Sequence, residues 1–181
     1  MPIIIKDGGT QRDFTPHPEV EGAPAVCIDA LDLGWKEGAY GLKYRVALVF
    51  YTGLVEKGPE GQNVPLTVAK FFNASFNEKS SLSSFVKQWM GQAYKLPDND
   101  LEKLIGQTAL LSIAHNATAA RTYANIESIM KLPAAMADQA PPIPGDFVRL
   151  CDREDWPGPA PHPEMSQPAA AAVSAEKMPW E

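Results

Sequence analysis

The sequence predicts a mainly β protein with five strands and one main α-helix. Apolar residues recur at the i, i+3, i+4, i+7 and i+8 positions of an amphipathic helix, namely Leu82, Phe85, Val86, Trp89 and Met90. Three strand-like segments precede this helix and two follow it. The connections other than the helix are too short for parallel crossovers, so the strands should be antiparallel. One helix between the third and fourth of five strands is the plan of a small OB-type barrel.

The three strands before the helix show different patterns. Residues 25–33 alternate apolar and polar side chains from Val26, as a half-buried strand does. Residues 44–52 are β-branched and aromatic and lie between glycines, which makes them the clearest strand. A long hairpin loop over residues 53–63 leads to the third strand, residues 64–76.

The helix and the last two strands complete the barrel. The helix is expected over about residues 81–94, and Ser80 or Ser81 can accept a hydrogen bond from its first free backbone N–H groups. The continuous apolar run within residues 107–115 predicts a fourth strand buried on both faces. Residues 122–132 alternate again and form the fifth strand.

Composition divides the chain into an arm, a body and a tail. Residues 1–24 carry repeated glycine and proline and are expected to form an irregular N-terminal arm. Residues 25–137 hold the predicted strands and helix and form the OB-like domain. Residues 138–181 are rich in proline and alanine, and such a segment cannot offset its ordering entropy by burial. We expect this segment to be a disordered tail.

Charge is also unevenly divided. The chain has a net charge of −6, but residues 138–181 hold eight acidic and three basic side chains. The remaining 14 acidic and 13 basic side chains leave residues 1–137 close to neutral. A neutral body is compatible with a local cluster of Lys and Arg, and only such clustering matters for phosphate binding.

The sequence contains no recognisable catalytic, metal or membrane motif. Cys27 and Cys151 lie far apart without metal-ligand spacing, so both are expected to be plain thiols. Cys27 and His115 could pair as nucleophile and base only in principle, because no motif surrounds either; a capping or phosphate-facing role is expected for His115. No run of about 18 apolar residues and no signal-peptide pattern is present. We expect a non-enzymatic, intracellular protein without a cofactor or metal.

Aromatic and basic side chains alternate along the predicted strands. In the second strand, Arg45 and Tyr51 share one face, which therefore offers a cation for phosphate and a ring for a base. Stacking on such a ring is worth about 1–3 kcal/mol per base. The alternative is that the aromatics form the barrel core and the cations a solvated surface; Trp89, on the apolar helix face, is expected in the core. The residues predicted to contact nucleic acid are Arg45, Tyr51, Lys70, Lys79, Arg121 and Tyr123.

The end of the chain carries a second candidate site. Pro179 and Trp180 lie among acidic residues after a Pro/Ala-rich stretch, and a large exposed ring on such a tail suits a partner pocket. The acidic charge of the tail could also occupy the protein's own cationic groove and compete with DNA. The alternative is a terminus with no role.

Several short motifs in the centre of the chain resemble a known family. They are, in order, Asn73-Ala74-Ser75, Glu78-Lys79-Ser80-x-Leu82, Trp89-x-Gly91, Leu104-x-Gly106, His115 and Arg121-Thr122-Tyr123-Ala124-Asn125-Ile126. With them, residues 14–133 resemble a family of bacteriophage and prophage proteins that are similar to phage single-stranded-DNA-binding proteins and are encoded among replication and recombination genes. Basic residues tend to flank the Trp-x-Gly in that family, whereas Met90 and Gln92 stand here. DNA contacts are therefore expected mainly from strand residues.

The resemblance implies an OB-like fold and single-stranded DNA binding in phage replication or recombination, in the cytoplasm of a bacterial host. The Pro-Trp-Glu ending partly resembles the acidic, aromatic-tipped tails with which bacterial single-stranded-DNA-binding proteins recruit partner enzymes. Two alternatives remain open at this point. The protein could be a phage interaction module that binds a host or phage enzyme without contacting DNA, or a virion β-barrel component. Its oligomeric state is also open.

Overall fold

The computed structural model describes residues 15–163 and contains one antiparallel sheet of five strands with an α-helix packed against it. The sheet has the strand order β3–β2–β1–β4–β5. The helix, α1, lies between the third and fourth strands in the chain, as predicted from the sequence. The elements are β1 (Val20–Gly38), β2 (Gly41–Lys57), β3 (Asn63–Asn73), α1 (Ser81–Met90), β4 (Thr108–Ala117) and β5 (Thr122–Lys131).

Four short 3₁₀ helices lie in the connections between and after these elements. A pair of them connects α1 to β4, and two more follow β5. They are Pro97–Asn99, Leu101–Leu104, Ala134–Gln139 and Leu150–Asp152.

The first strand is much longer than the sequence pattern indicated. β1 pairs with β4 over its first part and with β2 over its second part, and it carries bulges between Cys27 and Asp29 and between Asp32 and Gly34. The two ladders include polar and glycine residues of β1 whose order shows no alternation of apolar and polar side chains. Residues 20–24, which were assigned to the N-terminal arm, therefore belong to the first strand, because β1 begins at Val20.

The remainder of the described N-terminal segment also contacts the sheet. His17 is almost completely buried. Its carbonyl accepts a hydrogen bond from His115 Nε2 on β4, at 2.7 Å. The Glu19 carboxylate accepts the His115 backbone N–H at 2.8 Å. Residues 15–19 are thus fixed to β4, and the His115 side chain is used for this contact.

The sheet does not close into a hydrogen-bonded barrel. Its edge strands are β3 and β5, and no ladder joins them within residues 15–163. Instead, the Lys70 ammonium on β3 donates a hydrogen bond of 2.7 Å to the Ile126 carbonyl on β5. The predicted five strands and single main helix are confirmed at this level, whereas a closed barrel is not.

The main core lies between the inner face of the sheet and α1. Trp89 is fully buried in this core, where its ring centroid is 5.2 Å from that of Phe50. Its indole N–H donates to the Thr108 carbonyl at 2.8 Å, so its single polar atom is satisfied. The prediction that Trp89 is a core residue is confirmed.

Both ends of α1 have a clear local cause. The Ser80 hydroxyl accepts a hydrogen bond from the Ser83 backbone N–H at 3.1 Å, which confirms the predicted N-cap. Gly91 has φ +106° and its N–H bonds to the Lys87 carbonyl, so it ends the helix after Met90. The helix therefore stops earlier than the predicted residue 94.

Residues 144–162, which we call the strap, lie against the sheet. Phe147 packs on a second apolar cluster that Val26, Ile28 and Tyr51 form on the sheet face opposite α1. Farther along, the Ala160 N–H donates to the carbonyl of Leu33. The part of the predicted disordered tail that the structure describes thus contacts the body as far as His162, whose ring centroid lies 4.7 Å from that of Trp35; residues 164–181 lie outside the described residues.

The strap covers part of an exposed strand edge. Beyond its pairing with β4, β1 has a free edge, and the Ala160 carbonyl accepts the Trp35 N–H there at 2.8 Å. Gly34 permits this approach, because it has φ +69° and an added Cβ would collide with the Ala160 backbone. A covered edge cannot pair with another chain.

In the described part of the chain, no helix is long and apolar enough to cross a membrane.

Candidate nucleic-acid interface

The face of the sheet turned away from α1 carries the side chains with odd numbers on β2. Directly paired residues of neighbouring strands point to the same face. Lys43 is paired with Lys36 on β1, and Ala47 is paired with Phe71 on β3. Arg45 lies between Lys43 and Ala47 on β2. These side chains point to one face of the sheet near the β1–β2 hairpin, which we call the outer face; Ala47 itself is fully buried there.

A shallow groove crosses this end of the outer face. Three cations and one carboxylate line it, and two aromatic rings stand among them. The lining residues are Leu33, Lys36, Glu37, Gly38, Ala39, Tyr40, Gly41, Lys43, Arg45 and Phe71. We call this surface the cationic groove, because its charged side chains sum to about +2 although the chain as a whole is acidic.

The two aromatic rings of the groove are unusually exposed. Tyr40 is 90% exposed and Phe71 is 55% exposed, although burial of such rings would stabilise the fold. Tyr40 stands in the two-residue turn between Gly38 and Gly41, and Gly41 adopts φ +92°. The Lys43 ammonium lies 5.7 Å from the centroid of the Tyr40 ring. The groove thus presents ring faces next to cations, which is the arrangement that binds unstacked bases and phosphates.

No described carboxylate forms an ion pair with a cation of the groove. Among the described side chains, the ion pairs involve Lys103 and Arg149, and none involves Lys36, Lys43 or Arg45. Arg45 donates only a long hydrogen bond of 3.3 Å to the Asn73 amide oxygen. Across the β1–β2 ladder Arg45 faces Gly34, which has no side chain to cover it. These groups can bind phosphate without first breaking an ion pair.

The structure brings one predicted contact residue, Arg45, into the groove and moves two others away. Tyr51 is on the same face but only 7% exposed, because Phe147 packs on its cluster. Lys70 points to the inner side, where it bonds to Ile126, and burial lowers the pKa of its ammonium. Neither side chain lines the cationic groove, and a DNA contact by either one stays a prediction.

The remaining predicted residues lie elsewhere. Lys79 is exposed in the turn before α1, and Arg121 and Tyr123 are exposed at the β4–β5 hairpin. None of the three lines the cationic groove. Pro179 and Trp180 lie outside the described residues, so the suggested partner site at the end of the chain stays a prediction.

Four groove residues were not selected from the sequence: Lys36, Tyr40, Lys43 and Phe71. Two signals pointed to the rings. Tyr40 is flanked by glycines, which indicates a hairpin tip, and Phe71 precedes Phe72, so only one of the two rings can enter the core. Which of the two is buried depends on the strand register, which the sequence does not give.

Cys27 and His115, the two residues considered for nucleophilic chemistry, make other contacts within the fold. Cys27 is fully buried, and burial raises the pKa of its thiol to about 12. Its sulfur donates to the Asp29 carbonyl at 3.7 Å. A thiol with such a pKa is a poor nucleophile at neutral pH. Within residues 15–163, no group of three or more His, Cys, Asp or Glu side chains is placed to hold a metal ion.

Comparison with known proteins gives little similarity. No protein-family model matches the chain, and no curated protein matches it. A solved structure, the small single-stranded DNA-binding protein from Streptomyces coelicolor, is similar over 62% of this chain and 94% of that chain, with 12% sequence identity and a TM-score of 0.24. This similarity is too low to carry an argument about function.

Proposed function

We propose that this protein binds single-stranded DNA without catalysis and that the cationic groove is its binding surface. The observation that carries the proposal is the exposure of two aromatic rings, Tyr40 and Phe71, between three cations on one sheet face. The rings stack on bases, and Lys36, Lys43 and Arg45 bind the phosphates between them. Stacking accepts any base, so binding has little sequence preference.

The groove favours a single strand over a duplex. A ring can stack on a base only where the base face is free, and paired bases in a duplex are already stacked on their neighbours. The phosphate contacts alone would bind both forms, and they supply the salt-dependent part of the affinity. The two rings therefore provide the discrimination, and the three cations provide much of the binding free energy.

The sequence resemblance extends this proposal to a biological setting. A non-catalytic protein of this kind would cover single-stranded DNA during phage replication or recombination, in the cytoplasm of a bacterial host. The segment that contains Pro179 and Trp180 would recruit a replication or recombination enzyme. This setting depends on the resemblance, whereas the DNA-binding proposal depends on the groove.

A salt series tests the proposal. The anisotropy of a fluorescein-labelled oligo-dT is measured during titration with the full-length protein between 50 and 200 mM salt. Three phosphate contacts predict that log K falls against log[salt] with a slope of about −2, which is a loss of roughly 20-fold over this range. A labelled duplex of the same length serves as the control and should bind more weakly at every salt concentration.

Two results would contradict the proposal. One is the absence of binding to oligo-dT at low micromolar protein and 50 mM salt. The other is equal affinity for the duplex, which would show that the rings take no part and that the groove binds phosphate alone.

A further inference from the structure

The strap and the cationic groove share the outer face of the sheet. Along β2 this face runs from Lys43 to Tyr51, which is about 27 Å at the usual rise of a strand. The half that holds Lys43 and Arg45 is open. The half that holds Val49 and Tyr51 lies beneath Phe147 of the strap. The open part of the outer face therefore stops about midway along β2, where the strap begins to cover it.

The contacts that hold the strap are few and specific. Asp29 is 3% exposed, and its carboxylate accepts hydrogen bonds from Arg149 Nε at 3.1 Å and from the Leu150 N–H at 2.8 Å. Arg149 also donates to the exposed Glu102 carboxylate at 2.9 Å. Phe147 supplies the apolar contact, and Ala160 supplies the pairing with β1. Each of these contacts can be removed without touching a residue of the cationic groove other than Leu33.

The charge of the strap opposes that of the groove. Asp146, Asp152, Glu154 and Asp155 are exposed, and together with Arg153 they surround a depression next to Phe147. None of these four carboxylates forms an ion pair with another described side chain. A DNA strand that left the groove along β2 would meet this negative surface. The strap thus limits the strand by charge as well as by volume.

From this arrangement we propose that the strap sets the length of single strand that the outer face can hold. With the strap in place, the strand is confined to the cationic groove, and the site is at the low end of the roughly 4–16 nucleotides typical of an OB fold. When the strap leaves, Tyr51 and Val49 are uncovered and the four carboxylates move away, while the single Asp29 carboxylate, paired with Val49 across the ladder, is also uncovered. The site then lengthens toward Tyr51, which becomes a third stacking ring. This inference depends on the proposed function of the groove.

The test uses full-length protein and two releasing variants that act at different contacts. Phe147→Ala removes the apolar contact, and Val148→Ala is its matched control, because Val148 is the neighbouring residue and is 51% exposed. Arg149→Met removes the hydrogen bonds from the strap to the Asp29 and Glu102 carboxylates. Hydrogen exchange at the Leu150 and Trp35 amides reports whether the strap has left. The occluded site size on poly(dT) and the affinities for short and long oligo-dT are then measured.

We expect faster exchange at both amides, a longer site and roughly fivefold or more tighter binding of long oligo-dT in the releasing variants, with Val148→Ala unchanged. Affinity for the shortest oligo-dT that binds should stay within about twofold, because the groove is intact. Released amides with an unchanged site size would overturn the inference, while binding of short oligo-dT by the unaltered protein would leave the proposed function standing. Unchanged exchange in both releasing variants would also overturn it, because these contacts would then not hold the strap.

Discussion

The neighbouring residues Phe71 and Phe72 have opposite positions on β3. Phe72 is 2% exposed in the main core, where its ring centroid lies 5.0 Å from that of Phe85. Phe71 is 55% exposed in the cationic groove. Adjacent strand residues point to opposite faces, so the same side chain stabilises the fold at one position and is available to a ligand at the next.

This difference gives a prediction for Phe71. The Phe71→Ala variant should bind oligo-dT about 5- to 150-fold more weakly, because one base loses a stacking partner worth about 1–3 kcal/mol. Its thermal unfolding should change little, because the ring is largely exposed in the folded protein. Anisotropy and calorimetry measure the two effects.

A second aromatic variant makes the Phe71 experiment specific. Tyr123 is 50% exposed, but it lies at the β4–β5 hairpin and does not line the groove. Tyr123→Ala should therefore weaken binding by less than about twofold if each ring contributes only where a base can reach it. A loss equal to that of Phe71→Ala would show that the hairpin also contacts DNA, as the sequence predicted.

At the scale of elements, the edge strands β3 and β5 are joined by a side chain instead of a ladder. Lys70 bonds to the Ile126 carbonyl, and its ammonium lies 5.5 Å from the centroid of the Phe85 ring. Burial lowers the pKa of this ammonium because it disfavours the charged form, whereas the hydrogen bond and the nearby ring favour that form. This arrangement assigns Lys70 to the fold.

The Lys70→Met variant separates this role from the predicted DNA contact. Loss of a hydrogen bond from a charged donor should lower the free energy of unfolding by about 1.5–3 kcal/mol, measured by urea denaturation. Affinity for oligo-dT should stay within about twofold, because Lys70 points away from the outer face. A large loss of affinity in a variant of unchanged stability would mean that Lys70 binds DNA after all.

The elements also show what the sequence could and could not predict. Periodicity located all five strands and the helix, because alternation and the 3.6-residue repeat reflect burial directly. It missed the ends of β1, where Lys36 and Glu37 show no alternation and are held by pairing with β2. It also missed the docking of the strap, because a proline-rich composition does not reveal single contacts such as that of Phe147.

At the scale of the whole molecule, the site depends on which parts of the chain share a face. Arg45 and Tyr51 were predicted on one face from spacing alone, and they do share it. The sequence could not show that Phe147, almost 100 residues farther along, covers Tyr51 and leaves Arg45 open. Likewise, Lys36 and Phe71 join Arg45 only because β1 and β3 flank β2 in a particular register.

The effect of charge on DNA binding also depends on where the charged side chains lie. The chain is acidic overall, yet three cations gather in one groove, and four exposed carboxylates of the strap gather next to Phe147. Total charge alone would argue against nucleic-acid binding, whereas the local field at the groove favours it. DNA binding should therefore depend on the position of the cations, and a test of this dependence must hold the total charge constant.

The most direct test compares two double variants with the same net charge. Lys43→Glu with Arg45→Glu reverses two cations of the groove, and Lys95→Glu with Lys131→Glu reverses two exposed cations outside it. Oligo-dT affinity is measured for both by anisotropy at 50 mM salt. We expect the groove variant to bind more than about tenfold more weakly than the unaltered protein, with a much smaller salt slope, and the control to stay within about threefold. Equal losses in the two variants would contradict the assignment of the cationic groove as the DNA-binding surface.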